Sequence, residues 1–197
     1  MDAMNTIDKR TSTRFFKNTE INHEVIKKII SAGLKAPSPK NRQPWHFIAI
    51  TNKEEKKKLA DAMENEINGL IIKKPQRQDI KASLDTIAII RQAPVLVLVC
   101  YENNMVKIHD DGVNWNIAAK DIEAVDIQSI GAAVENMLLQ AEALRIGSLW
   151  CADILYAYQS VASYSKYPVL SAVCFGYKNR VSKSPTRKSM EEKCVFI

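Results

Sequence analysis

The pattern of apolar and polar positions divides the chain into amphipathic helices and a few short strands. Apolar residues recur every three or four positions before Gly33 and again over residues 127–144, which predicts a helix in each stretch. Asn22 suits the N-cap of the first helix and Gly33 its C-terminal stop. Further helical segments are predicted over residues 2–9, from about 53, over 65–92 with a break at Pro75, and near 157–164.

Three other stretches are predicted to form β-strands. Residues 94–101 and 168–177 are continuous apolar runs, as in strands buried on both faces, and the first should be central in its sheet. Residues 45–51 alternate like a half-buried strand, and Trp45 is assigned to the core. Strands separated by helices without regular βαβ repetition predict an α+β fold. The 197 residues fit one domain, so 1–197 is treated as a single unit.

Residues 102–125 are polar and irregular, and Asp110-Asp111-Gly112 predicts a turn there. The net charge of +6 favours anionic partners, but the lysines near residue 55 alternate with glutamates as on a solvated helix face. No nucleic-acid-binding motif is present, so no nucleic-acid partner is expected. No signal peptide is recognised and the run 94–101 is too short to span a bilayer, so the expected location is the cytoplasm, away from membranes.

The segment from Ala36 to Phe47 joins a predicted helix to a predicted strand. Prolines 37, 39 and 44 fix φ and push the residues before them to extended geometry, which predicts a rigid loop with few amide donors. From the residues alone, a stiff connection and a binding loop are equally good interpretations, because loops often carry binding residues.

This loop reads Pro-Ser-x-x-Asn-x-Gln-Pro-Trp-x-Phe, which resembles the signature loop of the nitroreductase family of FMN-dependent oxidoreductases. Other segments follow the order of that family: residues 10–16 as Arg-x-Ser-x-Arg-x-Phe, 131–141 as its central helix, 146–150 as the turn after it, and 176–177 with 185–187 as its C-terminal end. The resemblance implies a mostly antiparallel or mixed sheet flanked by helices, and a homodimer whose C-terminal tails are exchanged between subunits.

The resemblance also implies which residues bind FMN. Arg10, Ser12 and Arg187 would hold the phosphate, because a guanidinium donates two parallel hydrogen bonds and stays charged. Thr11 stands where Arg or His is common, so one contact would be lost or become a hydroxyl contact. Arg14 would reach the ribityl chain and the pyrimidine edge, where its charge would stabilise the reduced flavin.

A second set of residues would come from the partner subunit and from the turn after the central helix. The first group comprises Pro37, Ser38, Pro39 and Asn41, with the Asn41 and Gln43 amides able to donate and accept hydrogen bonds. Ile146 and Gly147 would place backbone N–H groups near flavin N5. Structural alternatives stay open: a basic surface turn for residues 10–14, a self-satisfied turn for Asn41 and Gln43, and a helix C-cap for Gly147. Arg145, where the family often has Gly, leaves the geometry of this turn open.

The resulting prediction is an FMN-dependent oxidoreductase with NADH or NADPH as a transient electron donor. Hydride would pass through flavin N5 to a nitroaromatic, quinone or similar small-molecule acceptor, and no side chain is assigned as acid or base. No metal is expected, because the three histidines share no ligand spacing. The alternatives are a non-catalytic FMN-binding or storage protein of the same fold, and a flavin-free basic module that binds an anionic polymer.

Overall fold

A computed structural model describes residues 2–102, 119–180 and 182–197. Within these ranges the helices are α1 (Ala3–Lys9), α2 (His23–Gly33), α3 (Lys53–Lys73), α4 (Gln78–Gln92), α5 (Ala119–Ala143) and α6 (Tyr158–Ala162). The strands are β1 (Trp45–Ile50), β2 (Val95–Tyr101), β3 (Gly147–Cys151) and β4 (Val169–Gly176). Short 3₁₀ helices cover Pro39–Asn41 and Asp153–Ala157. The predicted break between α3 and α4 around Pro75 is confirmed.

The four described strands form an antiparallel sheet in the order β1-β2-β4-β3. Every residue of β2 is buried and the strand pairs on both sides, which confirms its predicted central position. Alternate side chains of β2 enter different layers of the core. Leu96 and Leu98 pack with α3 and α4, whereas Val97 and Val99 pack with α2 and α5. The sheet therefore lies between two layers of helices, and Trp45 is buried in the α2/α5 layer as predicted.

Helix α2 has the predicted ends, but the structural role of Gly33 differs from the prediction. Asn22 Oδ1 accepts a hydrogen bond from the Glu24 N–H at 2.8 Å, which confirms the N-cap. Gly33 does not have a positive φ; a Cβ there would lie 2.8 Å from Met137 Cγ and 3.2 Å from the Ala133 carbonyl oxygen. This glycine therefore allows α2 and α5 to pack closely instead of forming a left-handed cap.

Helix α5 begins at Ala119, so the prediction of irregular structure over 119–125 was wrong. Burial of Ile122 and Asp126 shows why, since the buried face of the helix extends toward the N-terminus beyond the apolar series that predicted it. The predicted turn at 110–112 lies outside the described residues.

The turn geometry at Arg145, which the sequence left open, is defined by how α5 ends. This residue has φ of 60°, in the left-handed region. The Arg145 N–H donates to Glu142 O at 2.9 Å and the Ile146 N–H to Ala141 O at 2.8 Å, which together form a Schellman motif. The C-cap interpretation of Gly147 was therefore wrong, because the left-handed residue that follows the end of α5 is Arg145. Gly147 instead begins β3, a strand where only a turn was predicted.

The C-terminal tail, where it is described over residues 182–197, contains no regular helix or strand. Its last three side chains, Val195, Phe196 and Ile197, are exposed. Tail exchange remains a prediction. None of the helices in the described ranges has both the length and the apolar character required to cross a membrane.

Candidate functional site

A pocket of about 260 Å³ lies where the two ends of the chain meet. It is called the arginine pocket here, and its lining residues are Arg10, Thr11, Ser12, Glu135, Leu138, Ser148, Trp150, Ser184, Pro185 and Arg187. The fold thus brings together the four residues predicted to surround a phosphate: Arg10, Thr11, Ser12 and Arg187. Their binding role remains a prediction.

The arginine pocket is positioned by backbone pairing along the edge of the sheet. Ser12 forms a parallel β-bridge with Ser148 of β3, and the Thr13 N–H donates to Ser148 O at 2.8 Å. Further along, the Lys17 N–H donates to Tyr177 O at 2.9 Å. The N-terminal segment is therefore held against β3 and the end of β4, so the predicted alternative of a basic surface turn does not describe its backbone.

The charges in this pocket suit an anion with several acceptor oxygens. Arg10 Nε lies 3.5 Å from Glu135 Oε1, and Arg187 is exposed at the rim. Two guanidinium groups and the hydroxyls of Thr11 and Ser12 outnumber the single carboxylate among the described lining residues. Guanidinium and hydroxyl donors are the groups that phosphate monoesters prefer, so these residues fit the phosphate of FMN.

Residues Pro37, Ser38 and Pro39 line a different pocket, called the proline pocket here, with Val125, Gln128, Ser129 and Ala132 of α5. Both pockets lie along α5, which contributes Glu135 and Leu138 to the arginine pocket, but within one chain they are separate. The structure therefore does not bring Pro37, Ser38 and Pro39 into contact with the predicted phosphate-binding residues.

The proline-rich loop has an unusual backbone. Lys40, Asn41 and Gln43 have φ of 52°, 53° and 49°, a left-handed conformation that side chains with a Cβ rarely adopt. Ser38 satisfies part of the loop, since its Oγ accepts from the Gln43 N–H at 2.9 Å and its carbonyl from the Asn41 N–H at 3.0 Å. The self-satisfied turn therefore describes these backbone groups, while the Asn41 and Gln43 side chains are exposed. Such strained clusters persist where surrounding contacts hold them, often at binding sites.

Sequence reasoning missed the contact that holds this loop. Arg42 Nε donates to Oδ1 of the buried Asp126 at 2.9 Å, and the Tyr101 hydroxyl donates to Asp126 Oδ2 at 3.3 Å. Burial, followed by the Asp126 charge, raises the pKa of Tyr101 to about 12. One signal was available, because Asp126 lies four residues from both Ile122 and Ile130 and so falls on the apolar face of α5.

Arg14, Ile146 and Gly147 are not among the residues that line the arginine pocket. Arg14 is exposed, and Ile146 is buried in the α2/α5 layer. A Cβ on Gly147 would lie 2.6 Å from Thr13 Oγ1 and 2.8 Å from Lys178 Cγ. The glycine is therefore required by the packing of the N-terminal segment on β3, whatever its relation to a flavin.

Comparison with protein-family models matches residues 7–177 to the nitroreductase family. A curated relative from Methanothermobacter thermautotrophicus, provisionally named NADH dehydrogenase/NAD(P)H nitroreductase, is 27% identical over 150 residues. That match covers 76% of this chain but only 60% of the relative, so the chain spans less than two thirds of its length. Iodotyrosine deiodinase 1 of Rattus norvegicus is 28% identical over 207 residues, covering 97% of this chain and 68% of the relative.

Solved structures show the same fold over the whole chain. A BluB-like flavoprotein from Clostridium difficile 630 has a TM-score of 0.80 and 30% identity, covering 100% of this chain and 99% of that one. A provisionally named nitroreductase from Desulfovibrio desulfuricans, solved in complex with FMN, has a TM-score of 0.71 and 24% identity, covering 100% and 98% of the two chains. These likenesses confirm the predicted fold.

Proposed function

The chain belongs to the nitroreductase family, and we propose that it is an FMN-dependent oxidoreductase that uses NADH or NADPH to reduce a small-molecule acceptor. The observation that supports this most directly is the arginine pocket, in which Arg10 and Arg187 meet from opposite ends of the chain. Its donors match a phosphate monoester, and the related structures include a flavoprotein and an FMN complex. Either NADH or NADPH is proposed as the electron donor, since the name of a related protein refers to both.

The residues of this chain would bind and orient the cofactor. Arg10 and Arg187 would donate charge-assisted hydrogen bonds to the FMN phosphate, and Thr11 and Ser12 would add hydroxyl donors. Arg14, exposed beside this segment, would place positive charge toward the pyrimidine end of the ring. Bound there, FMN would supply the redox chemistry between the nicotinamide donor and the acceptor, and no side chain is assigned as acid or base.

We further propose that the site is completed by a second copy of the chain. Within one chain the proline pocket is separate from the arginine pocket, and the Asn41 and Gln43 side chains are exposed. A partner could supply its proline-rich loop to a flavin held by Arg10. The exposed apolar end of the tail at Val195–Ile197 would gain cover by crossing to that partner, as the family resemblance implies.

Truncation tests this assembly. Removing the chain from Ser184 onward would delete Arg187 and the tail, so both the dimer measured by light scattering and the FMN content should fall. A matched variant that lacks only the last three residues keeps Arg187. It should therefore retain the arginine pocket and its FMN content, and lose only the contacts that these last three residues make. A dimeric truncated protein with full FMN content would contradict the proposal.

The acceptor class is proposed as nitroaromatics, quinones or similar compounds that accept electrons from reduced flavin. The relatives differ on this point, since one name refers to a nitroreductase and another to a deiodinase. An acceptor panel should therefore contain a nitroaromatic, a quinone and iodotyrosine, with turnover of each measured at equal concentrations of the electron donor.

An anaerobic absorbance titration tests the whole function. We expect flavin peaks in the purified protein that bleach on adding NADH or NADPH and recover on adding a quinone. Peaks that bleach with dithionite but with neither nicotinamide would favour the FMN-storage alternative. A colourless protein that refuses added FMN would overturn the proposed function.

A further inference from the structure

Glu135 places a negative charge inside the arginine pocket. It projects from α5 and lines this pocket with Arg10, Ser12 and Arg187. Among the described residues that line the pocket, it is the single carboxylate. A site for a phosphate monoester would ordinarily exclude such a group, because like charges in one pocket repel.

The contact between Glu135 and Arg10 is loose. Arg10 Nε lies 3.5 Å from Glu135 Oε1, and the Glu135 side chain is 44% exposed. Two turns further along α5, Glu142 makes a tight contact instead: its Oε2 lies 2.6 Å from Lys178 Nζ, and its side chain is 11% exposed. The comparison indicates that Glu142 is a fixed structural partner, whereas Glu135 can exchange its partner.

The backbone of Glu135 cannot withdraw from the pocket. Its neighbours Val134 and Met137 are fully buried in the core, which fixes this turn of α5. The carboxylate can leave Arg10 only by rotating about its own side-chain torsions toward water, which its exposure permits. A ligand phosphate that binds Arg10 must therefore displace the carboxylate or accept its repulsion.

Resting on the proposed FMN site, we infer that Glu135 is an internal counter-ion of Arg10 that competes with the phosphate of the flavin. In the flavin-free protein it balances the Arg10 charge. On binding, the phosphate takes its place on Arg10. Glu135 thus lowers the affinity for any ligand that ends in a phosphate monoester and leaves the affinity for the uncharged flavin body unchanged.

The test compares FMN with riboflavin, which differ by the phosphate. Glu135→Gln keeps the size of the side chain and removes its charge. Flavin fluorescence titrations of the flavin-free full chain should show FMN binding about two- to tenfold more tightly to this variant than to the wild type, the range expected for one partly exposed charge. Riboflavin binding should be equal in both proteins.

Glu123→Gln is the matched control, because Glu123 is an exposed carboxylate on the same helix that does not line the arginine pocket. It makes the same change in net charge and should leave FMN affinity within the error of the wild type. Thermal unfolding of both variants would show that α5 remains intact. Equal gains from both variants would mean a general charge effect and would overturn the inference.

The remaining outcomes are also decisive. Weaker FMN binding in Glu135→Gln would make Glu135 a positioning residue that orients Arg10, and would reject competition. Unchanged FMN binding, or an equal gain for riboflavin, would reject it as well. If the wild type binds no FMN at all, the proposed function itself fails, whereas an FMN-binding wild type with an unimproved variant removes only the role of Glu135.

Discussion

The proline-rich loop and the arginine pocket are held by different kinds of contact. The loop carries three side-chain-bearing residues with positive φ, and Arg42 fastens it to the buried Asp126. The arginine pocket has a well-paired backbone along β3, but its charged side chains are held by a loose pair between Arg10 and Glu135.

The two regions should therefore respond differently to a ligand: the loop should keep its conformation, whereas charged groups of the arginine pocket should change partners. Strained backbone around a buried ion pair has one stable arrangement, so the loop should present the same surface before and after a ligand arrives. The Glu135 side chain is 44% exposed and can exchange its partner at little cost, so the arginine pocket can pass from an internal carboxylate to a ligand phosphate. The predicted consequences are large losses of stability at the loop and losses of affinity at the pocket.

The largest effect is expected from Arg42→Ala. Among the described residues, Asp126 would then keep only the longer hydrogen bond from Tyr101, and removing one partner of a buried ion pair costs about 3–5 kcal/mol of stability. Urea unfolding should show this loss.

Arg77→Ala is the control, because the Arg77–Asp79 pair is exposed on both sides and its loss should change stability little. Equal stability of the two variants would mean that the loop is not fastened by Asp126, and the contrast between the two regions would fail.

Arg187→Ala tests the other side of the comparison. Losing one charge-assisted hydrogen bond to phosphate should weaken FMN binding by about 1.5–3 kcal/mol while folding stability stays nearly unchanged. Lys188→Ala removes a neighbouring exposed charge that does not line the pocket and should have a smaller effect on affinity. Flavin titration with unchanged affinity in Arg187→Ala would remove Arg187 from the site.

The variant Gly147→Ala tests whether the backbone around the arginine pocket is as rigid as the backbone of the proline-rich loop. The added Cβ would meet Thr13 Oγ1 at 2.6 Å, so the N-terminal segment must shift, at a cost of about 1–3 kcal/mol. Gly69→Ala is the control, because nothing lies within 4 Å of a Cβ there, and it should stabilise α3 by about 0.5–1 kcal/mol. A Gly147→Ala protein as stable as the wild type would show that this edge of the sheet is adaptable.

The sequence predicted the parts of this site that local pattern and motif order determine. The proline-rich loop was located from its three prolines and its resemblance to the family's signature loop. Arg10 and Arg187 were assigned from the two ends of the family pattern. The contact between Arg42 and Asp126 spans 84 positions, and residue 126 lay just beyond a stretch predicted to be irregular. No local rule connects two such residues, although the position of Asp126 among isoleucines indicated a buried carboxylate.

Nonlocal packing also explains the errors at glycines and strands. Gly33 marked the end of α2 correctly, but its purpose is the contact with Met137, which no pattern around residue 33 contains. Residues 147–151 read as a turn because a short segment after a helix end has little strand signal of its own. Pairing with β4 makes it a strand, and such tertiary pairing routinely overrides local preference.

The smallest effect concerns the residue behind the loop anchor. The pKa of Tyr101 is about 12 in the folded protein and near 10 in an unfolded chain, so folding favours the protonated phenol. Its contribution to stability is complete below about pH 10 and is lost as the pH rises through 12. Arg42 stays charged over this range, so the loop anchor itself should survive and only the Tyr101 contribution should fade.

Tyr101→Phe should therefore show a shallower alkaline loss of stability in urea unfolding at pH 7, 9.5 and 11. Tyr158→Phe, at a more exposed tyrosine, should follow the wild type. If Tyr101→Phe loses stability as steeply as the wild type, another group governs the alkaline limb, and the loop anchor would then be isolated from the titration of its own neighbour.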